Sequence, residues 1–290
     1  MEAVIDAKGI SKSYGKKIAL DNVNLNIPAG RIVGLIGPNG AGKTTLLKGI
    51  LGLANVGGSL QVLGLNPFSD RVKLLENVSF IADTAILPRW IKVSEALDYA
   101  EGVHPKFSRE KAMEFLAKTN IGLDSKVKNL SKGMVTQLHL ALIMAINSKL
   151  LVLDEPTLGL DIIYRKQFYE ALLNDYYDAQ KTILITTHQV EEIEGLLTDL
   201  IFINDGKILL EASMEDIPNI FTELQVDAAM KESALAFKPI HMRTTLGGFS
   251  MVFENVASDQ LRELGKVTTP SIADLFVAKM QPSKHIMEGK

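Results

Sequence analysis

Apolar residues fall along this chain in two rhythms. Short, nearly unbroken apolar runs with β-branched residues recur as RIVGLIG (31–37), LLVLD (150–154), TILITTH (182–188) and DLIFIND (199–205). A strand covered on both faces has this pattern, because neither side of its pleat meets water and alternation is not required. Longer stretches with helical spacing lie between the runs. Strands alternating with helices predict an α/β fold with a mostly parallel core sheet.

Three stretches break that rhythm. The opening AVIDAKGISKSYGKKIALDNVNLNIPAG mixes short alternating segments with turn signals at Gly9, Gly15 and Pro28-Ala29-Gly30, which predicts an antiparallel β layer beside the main sheet. Residues 92–145 are helix-rich: VSEALDYAEGV is expected to open on a Ser94 cap, and SREKAMEFLAKTNI on Ser108, with Lys111 at the third helical position instead of Glu. A helical subdomain, about residues 84–137, is thus inserted ahead of the strand at 150–154. After residue 213 the pattern changes again. GGFSMVFENV predicts a strand, and PSIADLFVAKM sets Ile272, Leu275, Phe276 and Met280 at helical spacing behind Pro270-Ser271. The expected organisation is one domain over 1–213 and a small C-terminal α+β extension over 214–290.

With 290 residues, 47% of them apolar, the chain can bury a sizeable core. A formal net charge of −3 supplies no basic field for a nucleic-acid backbone, so no nucleic-acid partner is expected. The absence of cysteine excludes disulfides, thiolate metal sites and cysteine nucleophiles. The N-terminus lacks the apolar core of a secretory signal. The most apolar stretch, LHLALIMAINSKLLVL (138–153), is interrupted by His139, Asn147, Ser148 and Lys149, short of the ~18 or more residues that span a bilayer. A soluble, cytoplasmic protein is the expectation.

Gly37-Pro38-Asn39-Gly40-Ala41-Gly42-Lys43-Thr44 fits G-x4-G-K-[ST], between a strand-like and a helix-like run. Small residues let the backbone amides of Asn39, Gly40, Ala41, Gly42, Thr44 and Thr45 curl around phosphate oxygens at a helix N-terminus. Lys43 would reach the β- and γ-phosphates and the Thr44 hydroxyl would ligate Mg²⁺. This pattern predicts a P-loop NTPase core.

LLVLDEPTLGLD places Asp154 and Glu155 at the end of a buried strand, where one carboxylate can hold Mg²⁺ through its water shell and its neighbour can orient an attacking water. Two carboxylates capping a turn before Pro156 is the plainer alternative. Upstream, LSKGM puts Ser131 and Gly133 at the mouth of a long helix, which makes either a second anion site or an ordinary N-cap. His188 closes the strand TILITTH.

Gly37–Thr45, LSKGM, LLVLDEPTLGLD and TTHQVEEIE follow one another in an order and at spacings that resemble the ATP-binding subunits of ABC transporters, over about residues 4–213. The resemblance implies that ATP and Mg²⁺ are the cofactors and that Tyr14, in SKSYGKKIAL, stacks on adenine. It implies that Glu155 is the catalytic glutamate and that His188 touches the γ-phosphate. LGLD (158–161) would be the loop through which two subunits sense one another. The signature departs from the family's LSGGQ at Lys132 and Met134 but keeps Ser131 and Gly133, and LSKGM is similar to the variant in drug- and bacteriocin-type exporters with separate permease chains. Asp83 stands near the place of the family's glutamine, where a carboxylate can approach Mg²⁺ but cannot donate as an amide does.

The chain has one glycine loop and one LSKGM. The resemblance therefore implies that two subunits, a homodimer or a paralogous heterodimer, close head-to-tail on two ATP molecules. It also implies that the helical insertion docks on an integral membrane permease at the inner face of the cell membrane, and the LSKGM variant points to an exporter. Two other classes compete: a soluble ABC-type ATPase acting without a transporter, and a P-loop kinase acting on a small molecule. Neither explains the full set of motifs, since relatives of the first kind carry paired domains, long coiled coils or zinc inserts, and the second leaves Ser131 and LGLD unused.

Overall fold

The computed structural model describes residues 3–82, 87–158 and 160–281. Its centre is a six-stranded sheet in the order β5 (Val78–Ile81), β6 (Leu150–Asp154), β7 (Thr182–Thr187), β3 (Ile32–Ile36), β8 (Asp199–Asn204), β9 (Lys207–Ser213). The first five strands are parallel and β9 turns back antiparallel to β8. Every residue of β3, β6 and β7 is buried, which is why these runs are continuously apolar instead of alternating.

β1 (Ala3–Tyr14) and β2 (Lys17–Pro28) form a long hairpin, and β4 (Gly57–Val62) pairs with the other edge of β1. This antiparallel layer packs with α1 (Lys43–Ile50) against one face of the central sheet: Ile5, Ile10, Leu20 and Leu25 share a cluster with Leu46, Leu47, Val33 and Leu35. A short α2 (Arg71–Leu75) leads into β5. On the opposite face lies α6 (Ile162–Ala171), which runs into a π-helical turn over Leu172–Tyr176, with Phe168, Tyr169, Leu172 and Tyr176 buried.

α3 (Val93–Val103), α4 (Arg109–Ala117) and α5 (Lys132–Met144) gather around their own core of Val93, Leu97, Leu116, Leu138 and Leu142. Ser108 caps α4 as expected, its Oγ accepting from the Lys111 N–H. Ser94 does not cap α3. The cap is Lys92, whose backbone N–H donates to the Glu95 carboxylate at 2.7 Å, so the reciprocal bond from the third helical position fixes the start two residues earlier.

After β9 come α7 (Ile217–Ile220), β10 (Phe221–Val226), α8 (Lys231–Leu235), β11 (His241–Thr245), β12 (Gly248–Glu254), α9 (Ser258–Leu261), β13 (Lys266–Thr268) and α10 (Ile272–Met280). The strands make a second antiparallel sheet in the order β11-β12-β10-β13, with a small core of Leu224, Met251, Phe253 and Leu261. Ser271 caps α10 through the Asp274 N–H. Ile272 and Leu275 are buried in the same cluster as Val190 and Ile193, and the rings of Phe202 and Phe276 meet edge-on at 5.2 Å. The extension is therefore welded to the segment that follows β7.

Candidate functional site

Strands β6, β7 and β3 are parallel neighbours, with Asp154 opposite Thr186 and Ile36 opposite Thr187. Their carboxyl ends consequently open on one crevice, the place where open α/β sheets hold ligands. Three segments far apart in sequence meet there.

The glycine loop joins β3 to α1. Gly42 has φ 114°, and a Cβ at that position would lie 2.6 Å from the Ala19 carbonyl oxygen, so only glycine fits. Lys43 is 6% exposed and folds back over the loop, its Nζ donating to the carbonyls of Gly37 at 2.6 Å and Pro38 at 3.4 Å. In front of it lies a cavity of about 270 Å³ lined by Asn39, Gly40, Gly42, Lys43, Thr44 and Thr45. Ala41 does not line it. That residue is buried, its N–H bonded to Pro38 and its carbonyl to the Gly206 N–H, so it anchors the loop to the β8–β9 turn.

The β1–β2 hairpin supplies the other wall. Tyr14 and Lys17 face each other across its turn and both line the cavity, Tyr14 half exposed with the Lys12 ammonium 5.4 Å from its ring centre. A tyrosine so placed offers a π-face to a planar ligand. Lys17 was not singled out by the sequence, since a lysine in a hairpin turn has no distinguishing pattern.

Asp154 is buried at the end of β6, with its Oδ2 accepting from Thr44 Oγ1 at 3.2 Å and its Oδ1 from Thr186 Oγ1 at 2.6 Å. Glu155 takes the left-handed conformation, φ 49°, and its N–H is held by both the carbonyl and the hydroxyl of Thr186. Such a conformation in a non-glycine residue is costly and persists only when its neighbours fix it. It turns the Glu155 carboxylate back into the cavity, 3.7 Å from Lys43 Nζ and 2.8 Å from His188 Nδ1. Thr186 thus organises both acidic residues, yet in sequence it is one more β-branched strand residue.

The set fits a triphosphate and a hard cation. The glycine-loop residues and Lys43 line the cavity, and a hydroxyl paired with a carboxylate, Thr44 with Asp154, is an all-oxygen donor set of the kind Mg²⁺ takes alongside phosphate and water.

Ser131 and Gly133 lie elsewhere. Ser131 caps α5, accepting from the Met134 N–H at 3.2 Å, and is exposed; it does not line the cavity in front of its own glycine loop. Gly133 is buried against Tyr164, whose ring carbons would lie 2.8 Å from a Cβ, and it lines a separate cavity of about 410 Å³ among α4, α5 and α6. Within LGLD, Leu158 is exposed, Leu160 is buried and Asp161 caps α6 through the Tyr164 N–H. Asp83 falls outside the described residues.

Comparison with known proteins agrees with this arrangement. The family described as ABC transporter matches residues 20–158. An uncharacterized ABC transporter ATP-binding protein, YdbJ of Bacillus subtilis, is 28% identical over 100% of this chain and 94% of its own length. The Nod factor export ATP-binding protein I of Cupriavidus metallidurans is 32% identical over 87% of this chain and 86% of its own. Among solved structures, an ATP binding subunit of an ABC transporter superposes with a TM-score of 0.66 at 24% identity, covering 74% of this chain and 91% of that one. Strand order, crevice and relatives converge on one assignment: the chain belongs to the ATP-binding subunits of ABC transporters, ATPases coupled to transport.

Proposed function

We propose that two copies of this chain close head-to-tail, each ATP lying between the glycine loop of one copy and Ser131 and Gly133 of the other. The observation that carries this reading is the position of Ser131: an exposed hydroxyl at a helix N-terminus, outside the cavity of its own chain. A helix start of this kind attracts an anion, and a second copy brings one.

In that closed state Tyr14 stacks on the adenine, the loop amides and Lys43 hold the phosphates, and Thr44 and Asp154 hold Mg²⁺. The cation supplies charge neutralisation on the phosphate oxygens. Glu155 orients water for in-line attack, and His188 positions that carboxylate and reaches the γ-phosphate. Among the described residues no helix is long and apolar enough to cross a membrane, so the opening stroke acts on a separate permease. The helical insertion is the docking surface, which places the chain at the cytoplasmic face of the membrane. Export is the direction we assign, on the name of the Nod factor relative.

Mixing tests the shared site. Ser131→Arg and Lys43→Ala chains are each inactive alone; combined, they form a pair with one intact site, from the glycine loop of the first and the signature of the second. Recovery of ATP hydrolysis on mixing supports the reading. Hydrolysis by the Ser131→Arg chain alone contradicts it.

A further inference from the structure

Arg165 lies on the first turn of α6, one helical turn before Tyr169, so both side chains leave the same face of the helix. Tyr169 is buried, which pushes its phenol up to about 12, and its hydroxyl lies 3.1 Å from Thr157 Oγ1. Arg165 reaches further in two directions. Its Nε donates to the Leu160 carbonyl at 2.7 Å, inside the 158–161 loop. Its Nη1 donates to Gln189 Oε1 at 2.7 Å and to Glu192 Oε1.

Gln189 follows His188 directly, and its own N–H is held by Thr187 Oγ1 at 2.9 Å. Glu192 belongs to the 3₁₀ turn Val190–Glu192, and its Oε2 is buried with no hydrogen-bond partner among the described residues. With that oxygen buried and unpaired, the partly buried Glu192 carboxylate leans on the Arg165 guanidinium. One guanidinium therefore ties a surface loop beside the exposed Leu158 to the segment carrying His188. Its planar fork serves three acceptors in fixed directions, which a lysine ammonium cannot reproduce.

We propose that Arg165 is the positioning residue through which contact of a second subunit at the 158–161 loop sets His188 against Glu155. This deepens the reading of the shared site and rests on it. Docking at the exposed Leu158 fixes the neighbouring Leu160 carbonyl, the guanidinium follows, and Gln189 and Glu192 hold His188 at the distance from Glu155 that hydrolysis needs. Arg165 itself touches no nucleotide.

The test uses the full chain with Arg165→Met and Arg165→Lys, the second keeping a cation beside Glu192 so that the fold survives. Both variants are expected to lose kcat on the order of ten- to a hundredfold, the effect of slightly misplacing a reacting group. KM for ATP should stay within about twofold, since no ground-state nucleotide contact is lost. In a Glu155→Gln background, ATP-dependent pairing should persist with either variant. Wild-type kcat in Arg165→Lys overturns the inference, and so does loss of pairing, which would make Arg165 an interface residue instead. His188→Ala is the control: if it turns over like the wild type, the site reading itself fails, whereas a dead His188→Ala beside an active Arg165→Lys removes only the link.

Discussion

Glu155 and His188 are joined across 33 residues of sequence, Oε2 to Nδ1 at 2.8 Å, while the other carboxylate oxygen faces the Lys43 ammonium at 3.7 Å. One carboxylate, held in a strained backbone conformation, thus touches both the lysine of the glycine loop and the histidine at the end of the neighbouring strand. Under the proposed reading, a triphosphate entering the cavity would compete for Lys43 and leave Glu155 to His188 and to water.

Glu155→Gln is accordingly expected to lower phosphate release by about 10²–10⁴-fold, the usual weight of a positioned general base, while ATP affinity is kept. Adding His188→Ala to that variant should cost little more, because residues acting as one unit are not additive. Single-turnover hydrolysis and a nucleotide-binding titration check both; independent, multiplying losses would separate the two residues.

Lys43→Ala should abolish the thermal stabilisation that ATP gives the wild-type chain. Ligand at 100 times its Kd is worth about 2.7 kcal/mol to the folded state, a readily measured rise in Tm. A full rise in the variant would mean that the phosphates are read elsewhere.

Thr186→Val removes the hydroxyl that donates to Asp154 at 2.6 Å and accepts from the Glu155 N–H at 3.1 Å. The loss leaves a buried carboxylate oxygen short of a donor, a destabilisation of roughly 1–3 kcal/mol by denaturant titration. The Mg²⁺ concentration needed for half-maximal turnover should rise as well, and Thr186→Ser should restore both. A change in stability with an unchanged Mg²⁺ requirement would confine Thr186 to packing.

His139, partly buried on α5, has its pKa lowered below 6.5 by burial. The folded state favours the neutral ring, so this contribution to stability is present above 6.5 and is lost as pH falls through the lower folded value. His139→Gln should flatten the acid side of the stability profile; an identical profile would assign the acid loss to other groups.

The strands of the core were legible because burial on both faces leaves continuous apolar runs, and the glycine loop because phosphate binding requires small residues at fixed spacing. Tyr14 was found through the family resemblance, and the structure places it at the cavity wall. Thr186, Lys17 and Arg165 were not found, since the bonds of Thr186 to Glu155 and of Arg165 to Gln189 span 31 and 24 residues, and Lys17 meets the glycine loop only once the hairpin is folded against it. The start of α3 was misread for a local reason: Ser94 is the stronger cap by type, but the Glu95 carboxylate ties back to Lys92. Helical spacing likewise predicted α10 but not that its apolar face would cover Val190 and Ile193, a matter of tertiary packing alone.

The head-to-tail pairing is tested most directly by mass in solution. Glu155→Gln with Mg²⁺ and ATP, followed by light scattering behind a sizing column, should give twice the mass of the nucleotide-free chain, and Ser131→Arg in the same background should return it to the single-chain value. A single-chain mass with ATP bound, or a pair indifferent to position 131, would contradict the account.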